Sequence, residues 1–318
     1  MSGPSRRVID YLTTLLKDTT ARRYAAAQGR LGAHLTELKV DLFDLTEEEL
    51  DHLLADYILD LKEAGFSKQV ALDTVSSTVK AFAGRRRLRA SLQVCDGWDR
   101  ESPPVQAKPM PEFVAQACCC AMHAAGWHAE AALVLLCFCG LLRIGEGLAL
   151  RLSDVLLPQT HGFGPAIVIL LRTTKRGMPD SDKVILTAGP VVEYVVKYVS
   201  FQRQQHAFTD NMSPFCDSNY NRFAARLERT QVALGFEAKT FRSHSLRRGG
   251  ATQLAMNGWG LKDLMLAGRW NSERSCRLYV MKGEVSVLRL RQNLDSAIVE
   301  RLELLAALGP QIFEIVAA

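Results

Sequence analysis

In His244-Ser245-Leu246-Arg247 an imidazole and a guanidinium stand three residues apart, in a segment whose apolar spacing predicts a helix over 244–256. Both side chains can leave one face of that helix. The face would offer a proton-transfer group beside a cation that stays charged at any working pH. A His and an Arg at this spacing also arise by chance, and a capping or core histidine is the ordinary outcome, so the neighbourhood decides. Gly258 and Gly268 are each placed to end a helix in the left-handed conformation that glycine tolerates. The compact turns that result would deliver Arg269 and Trp270, and then a further helix over 272–280 that carries Tyr279. A phenol, an imidazole and guanidinium groups would then converge from separate helices.

The elements that must position these groups are mostly helical. Residues 5–94 read as several helices, with apolar residues at three- and four-residue spacing in Val8, Tyr11, Leu12, Leu15 and Leu16, and again in Leu50, Leu53, Leu54, Tyr57, Ile58 and Leu61. Thr46 followed by Glu49 predicts a capping box for the second run. The basic cluster Arg85, Arg86, Arg87, Arg89 closes this region, and 97–111, with Pro103, Pro104, Pro109 and Pro111, reads as a linker. Residues 112–150 return to helical spacing with a break at Gly140, just before Arg143. Two short β-rich runs follow, 166–171 and 184–186, joined by a polar connection over 173–182 that predicts a hairpin. Helical spacing resumes over 191–201, 220–234 and 261–266. Near the end, Leu294, Ile298, Leu302 and Leu305 form an apolar stripe expected to stop at Gly309-Pro310, with Ile312, Phe313, Ile315 and Val316 beyond it. The expected fold class is mainly α with a small β-sheet (α+β). The expected domains are 1–96, a helical DNA-binding domain; 97–111, a linker; 112–293, a catalytic domain; and 294–318, a C-terminal helix and tail for exchange between protomers.

The chain has 318 residues, 48% of them hydrophobic, enough to bury cores in two domains. Its net charge of +5 is unevenly spread: residues 1–105 hold 15 Lys+Arg against 16 Asp+Glu, leaving 39 − 15 = 24 against 34 − 16 = 18 for the rest. Residues 239–291 alone carry 11 basic and 3 acidic side chains, a density suited to a phosphate backbone if the charges share a face. Of the 8 cysteines, Cys118, Cys119 and Cys120 are contiguous, and none forms a C-x-x-C pair. With His123 and His128 near them a metal cluster is conceivable, but alanines fill the intervening positions and buried free thiols are the expected state. No signal-peptide pattern or long uncharged apolar run occurs, so the expected location is inside a cell, with no membrane partner.

Over 109–291 the chain resembles the tyrosine recombinase and phage integrase family. The segment Cys139-Gly140-Leu141-Leu142-Arg143-Ile144-Gly145-Glu146 looks like the family's first catalytic box, which assigns catalytic and supporting roles to Arg143 and Glu146. His244 and Arg247 match the His-x-x-Arg box, followed by Arg248-Gly249-Gly250-Ala251-Thr252 in keeping with it. Gly268-Arg269-Trp270, with Tyr279 nine residues after Trp270, matches the spacing of the final box. Trp270 stands where most members have His, a replacement also found in Cre recombinase. The remaining family residue is a lysine at a hairpin turn. Lys175 sits where that turn should begin and is preferred to Lys183, which directly precedes the second strand.

The resemblance implies a site-specific DNA recombinase that needs no cofactor, metal or external energy source. Tyr279 would attack a phosphodiester to give a 3′-phosphotyrosyl link, Arg143 and Arg247 would stabilise charge on the non-bridging oxygens, and Lys175 would protonate the departing 5′ oxygen. His244 would take the phenol proton or bond the phosphate, Trp270 would donate its indole N–H or buttress the site, and Glu146 would orient the cations. Arg85, Arg86, Arg87, Arg248 and Arg269 are further candidates for contact with DNA. The implied partners are double-stranded DNA, clamped by the two domains, and three further copies of the chain in a tetramer on paired sites. The alternative is a catalytically silent DNA-binding accessory protein of the same fold. The cysteine content and the Arg-Arg-Gly-Gly box suggest a eukaryotic mobile element, hence a nucleus; in another host the cytoplasm or nucleoid is expected.

Overall fold

The computed structural model describes residues 16, 18–82, 87–102, 106–158, 164–172, 182–187, 189–205, 213–280 and 283–315. It is mainly helical with one three-stranded sheet among these residues, the expected fold class. The chain divides into two compact units, Met1–Val105 and Gln106–Ala318. Among the described residues no helix is long and apolar enough to cross a membrane.

The first unit contains α1 (Asp18–Leu38), α2 (Glu47–Glu63), α3 (Lys68–Ala81) and α4 (Arg89–Glu101). The expected capping box starts α2: Glu49 N–H donates to Thr46 Oγ1 at 3.3 Å, and Thr46 N–H donates to Glu49 Oε2 at 2.9 Å. Its apolar face, with Leu50, Leu54 and Ile58 fully buried, packs with Leu31 of α1 and Trp98 of α4. Helix α4 runs through Gly97, where the sequence reading began a linker. Burying an indole removes roughly 150–250 Å² from water, which outweighs the cost of about 1 kcal/mol for a mid-helix glycine. Helix α4 gains a second anchor from Asp51, whose carboxylate accepts Ala90 N–H at 2.7 Å and Ser91 N–H at 2.9 Å in its first turn. The apolar run from Val8 to Leu15, together with Arg85 and Arg86, lies outside the described residues. Arg87 is exposed, with its backbone N–H on Glu47 Oε1 at 3.0 Å.

The second unit is built on α5 (Glu112–Ala124) and α6 (His128–Cys139), apolar on nearly every side and buried accordingly. Cys118, Cys119 and Cys120 are buried free thiols; burial pushes Cys118 up to about 12 and Cys120 to about 11. His123 Nδ1 lies 3.0 Å from the Tyr194 hydroxyl and 3.1 Å from His128 Nδ1, and burial, with His128 adding to it, lowers its pKa from 6.5 to about 4. Among the described residues no group of three potential metal ligands gathers.

A short helix, α7 (Ile144–Leu148), precedes the antiparallel sheet, ordered β1 (Val155–Leu156), β2 (Ile167–Leu171), β3 (Asp182–Leu186). The two expected strands pair with Ile169 opposite Val184 and Leu170 opposite Lys183. Strand β1, two residues long, is too short to show any alternation in the sequence. The rest is helical: α8 (Pro190–Gln205), α9 (Tyr220–Ala233), α10 (Ser243–Met256), α11 (Leu261–Gly268), α12 (Glu273–Val280), α13 (Gly283–Asn293) and α14 (Ser296–Ile315). The C-terminal stripe docks on its own unit: α14 lies against α5, Leu302 is fully buried, and Leu294, Ile298 and Leu305 are half-buried against the same core. Helix α14 also continues through Gly309-Pro310, where the sequence reading placed a break. The side chains of Ile312, Phe313 and Ile315, and residue Val316, lie outside the described residues.

Candidate active site

Helix α6 ends at Gly140, as expected, but the left-handed turn after it is made by Leu141, at φ 49°. Gly140 is required for another reason: a Cβ there would lie 2.8 Å from the Leu136 carbonyl oxygen. A left-handed leucine costs on the order of 1–3 kcal/mol, offset here by burial of its side chain among Ala251, Leu264, Trp270 and Cys276. The turn sets Arg143 immediately before α7. Glu146, buried in α7, accepts Arg143 N–H at 2.9 Å, Arg143 Nη1 at 2.5 Å and Arg269 Nη2 at 2.8 Å. Burial alone would raise its carboxyl, but the Arg143 backbone hydrogen bond and the Arg269 and Arg143 charges outweigh it and hold the pKa below 4.5. Glu146 thus binds two guanidiniums at once.

Helix α10 approaches its neighbours backbone to backbone. A Cβ at Gly249 would stand 1.9 Å from the Met110 carbonyl oxygen, and one at Gly250 would stand 1.9 Å from that of Phe138. This close seat carries Arg247 into the interior, where it is 1% exposed. Its Nη1 donates to the Leu141 carbonyl and its Nη2 to the Gly268 carbonyl, and its guanidinium carbon lies 4.8 Å from the Trp270 ring centroid. Its Nε–H has no partner among the described residues. Burial, then the neighbouring Arg143 and Arg269 charges, push its pKa down to about 10, so it stays charged at neutral pH.

One turn earlier on α10, His244 Nε2 lies 2.6 Å from the Tyr279 hydroxyl. Packing around the imidazole, together with the charges of Arg247, Arg248 and Arg143, lowers its pKa from 6.5. A neutral ring beside a phenol at hydrogen-bond distance can accept the phenol proton. Gly258 ends α10 in the expected left-handed conformation, at φ 87°. The end of α11 differs: the left-handed residue is Arg269, at φ 55°, while Gly268 is helical. Gly268 is needed because a Cβ would fall 2.0 Å from the Trp270 indole, which lies flat against it. The indole in turn packs on Tyr279, with ring centroids 4.9 Å apart. Thr252 of α10 pins the far side of α12, its Oγ1 being 3.4 Å from the Tyr279 carbonyl oxygen.

Six residues singled out in the sequence fall into two linked groups, Arg143 with Glu146, and His244, Tyr279, Trp270 and Arg247, which Arg269 and the Leu141 carbonyl join into one cluster. Lys175 falls in the connection between β2 and β3, outside the described residues, and Lys183 is exposed on β3. Two of the arginines expected to meet DNA are largely buried and bound within the unit. Arg248 is 7% exposed and its Nη1 donates to Gln106 Oε1 at 2.7 Å, while Arg269 is bound to Glu146 and the Leu141 carbonyl. Charge counts carry no direction, and the close seat of α10 turns Arg248 inward. The Leu141 carbonyl escaped the sequence reading because a backbone acceptor leaves no signature in residue type.

The phage integrase family model matches residues 112–284, more than half of the chain and all six clustered residues, so the chain belongs to this family. Among solved structures it resembles the XerH site-specific recombinase bound to a palindromic difH substrate in a post-cleavage complex, at 14% identity and a TM-score of 0.61, over 86% of this chain and 79% of that one. It also resembles the Tn1549 transposon integrase in complex with circular intermediate DNA, at 18% identity and a TM-score of 0.58, over 86% and 94% of the two chains. A lambda integrase dimer bound to a COC′ core site matches at 15% identity and a TM-score of 0.57, over 86% and 92%. At these identities the likeness is one of fold. No curated protein sequence matches the chain.

Proposed function

We propose that the chain is a site-specific DNA recombinase or integrase that cleaves and rejoins strands through a 3′-phosphotyrosyl intermediate on Tyr279. The observation that carries this reading is the 2.6 Å contact between the Tyr279 hydroxyl and His244 Nε2, beside the buried Arg247 guanidinium. In the forward step the Tyr279 oxygen attacks the phosphorus and its proton passes to His244. The bond from phosphorus to the 5′ oxygen breaks, and that oxygen takes a proton from Lys175. Arg143 and Arg247 stabilise charge on the non-bridging oxygens. Trp270 holds the Tyr279 ring and can offer its indole N–H to the phosphate. Glu146 orients Arg143 and Arg269. The tyrosyl phosphodiester keeps the bond energy, so a 5′ hydroxyl from another duplex reverses the reaction without ATP. Two guanidiniums already supply the positive charge, and the scheme calls for no cofactor.

On this reading double-stranded DNA is the partner, residues 1–96 form a DNA-binding domain and 112–293 the catalytic domain, with a homotetramer acting on paired sites. Arg248 and Arg269 support the site from within, leaving Arg85, Arg86 and Arg87 as candidates for the DNA backbone. Of the segment 294–318 proposed for exchange, Leu302 docks in cis, and residues 310–318 are the part to be passed to a neighbouring protomer. The test is incubation with a pool of nicked duplexes of randomised sequence, followed by recovery of complexes that survive detergent. Recovered duplexes should converge on one site. Recovery of none, with DNA binding intact before denaturation, would favour the silent accessory protein.

Two further outcomes follow on the selected duplex. His244 has a folded pKa below its ordinary 6.5, so the proton-accepting form already dominates at that pH. Cleavage should be flat above pH 6.5 until the acid Lys175 loses its proton, and its acidic limb should lie below pH 6.5; an acidic-limb midpoint above pH 7 would exclude His244 as the acceptor. Lys175→Ala should slow cleavage by about 10² to 10⁴ and recover on DNA whose 5′ bridging oxygen is sulfur, because a thiolate leaves without a proton. Rescue of Lys183→Ala instead would transfer the role to Lys183.

A further inference from the structure

Arg247 is held by two backbone carbonyls, and each belongs to a peptide unit beside a left-handed residue that is not glycine. The Leu141 carbonyl follows a residue at φ 49°, and the Gly268 carbonyl precedes Arg269 at φ 55°. Among the described residues only Lys39 and Lys239 share this conformation without being glycine, and both are exposed. Leu141 and Arg269 lie inside, against the candidate site. Strained backbone held in place by its surroundings is a recurrent mark of a positioned functional group.

We infer that Leu141 is a positioning residue for the proposed strand cleavage: its left-handed backbone aims one carbonyl at both Arg247 and Arg269 and so fixes the Arg247 guanidinium. The claim rests on the reaction proposed above. A guanidinium carries five N–H groups in a rigid fork. One Nη1 hydrogen is on Leu141 and one Nη2 hydrogen on Gly268, which fixes the plane of the fork and the directions of its other N–H groups. Arg269 Nη2 reaches the Leu141 carbonyl at 3.1 Å and Glu146 at 2.8 Å, and Glu146 also binds Arg143, so this carbonyl ties both catalytic arginines into one frame. A residue at 141 with ordinary backbone angles would turn the carbonyl away and leave Arg247 to find a new orientation, and donors act on a developing charge only when oriented beforehand.

The competing account is that Leu141 serves only to fill the small core around Trp270, and the two accounts rank substitutions in opposite order. Leu141→Gly removes the side chain but adopts positive φ freely, whereas Leu141→Ile keeps the volume and is disfavoured there. Single-turnover adduct formation on the selected nicked duplex, at saturating DNA and per folded molecule, is measured with Tyr279→Phe as the blank. The glycine variant should stay within about threefold of wild type despite a lower melting temperature, and the isoleucine variant should lose about tenfold or more with unchanged DNA affinity. An isoleucine variant faster than the glycine variant overturns the proposal. If the isoleucine protein does not fold, the glycine variant decides alone, and a loss of about tenfold or more overturns it. A second readout needs no activity: the Arg247 guanidinium N–H signals in an NMR spectrum should be resolved in wild type and Leu141→Gly and averaged by rotation in Leu141→Ile. Averaged signals in wild type would overturn the hold on Arg247, whereas a wild type with resolved signals and no adduct would overturn the reaction alone.

Discussion

Tyr279→Phe should bind the selected DNA as wild type does and form no covalent adduct. The substitution removes one oxygen and keeps the ring, so the contacts to Trp270 at 4.9 Å and to the Arg247 guanidinium at 6.0 Å persist. The lost hydrogen bond to His244 is exposed and contributes about 0.5–1.5 kcal/mol, too little to unfold the unit. Other tyrosines of the second unit are poorly placed to substitute. Tyr194 and Tyr198 are buried on α8, and desolvation pushes both phenols well above their ordinary pKa. Tyr220 is exposed at the start of α9. Gel mobility shift and denaturing gel, run on the same samples, separate binding from attachment. An adduct formed by the phenylalanine variant would move the nucleophile to another residue, with Tyr220 the first to examine.

Arg247→Lys should lower both cleavage and stability. A lysine keeps the positive charge but not the fork, so it cannot serve both carbonyls; that of Leu141 would keep Arg269 Nη2 at 3.1 Å, while that of Gly268 would lose its side-chain donor among the described residues. An unsatisfied buried acceptor costs about 1–3 kcal/mol, visible as a lower melting temperature of the second unit. Cleavage should fall by about 10² to 10³, the typical effect of removing one preorganised donor from a developing oxyanion. Single-turnover rates and thermal melting on the same preparation check both parts. Wild-type cleavage by the lysine variant would mean that charge alone suffices and that the buried fork has no catalytic role.

Arg247 was legible beside His244 because a helix of regular period places residues three apart on one side, whereas Tyr279 was legible through the resemblance of Gly268-Arg269-Trp270 and its spacing to the family's final box. The helices over 191–201, 220–234, 244–256, 261–266 and 272–280 were legible from their apolar spacing and the two longer strands from their β-rich runs, whereas α13 was not. Errors arose where tertiary burial outweighed a local preference. Gly97 sits inside α4 because Trp98 and Cys95 are buried beside it. Gly268 had been assigned the left-handed turn that Arg269 makes, since the glycine is required by contact with an indole, not by its backbone angle. Leu141 shows the same limit from the other side: nothing in a leucine announces positive φ, and its side chain is held by the packing of α10, α11 and α12 around it. The internal partners of Arg248 and Arg269 were not legible because composition does not say which way a side chain points.

The central claim is a covalent bond between Tyr279 and a 3′ phosphate. The detergent-resistant complex formed by the wild-type chain on a nicked duplex can be digested with nuclease and trypsin and its peptides weighed. Cleavage after Arg277 and Lys282 yields the peptide Leu278-Tyr279-Val280-Met281-Lys282. The account predicts that this peptide carries the residual nucleotide, joined through the tyrosine oxygen to a 3′ phosphate. A nucleotide on any other peptide, or an unmodified Tyr279 peptide from a protein that binds the same DNA without attachment, would contradict it.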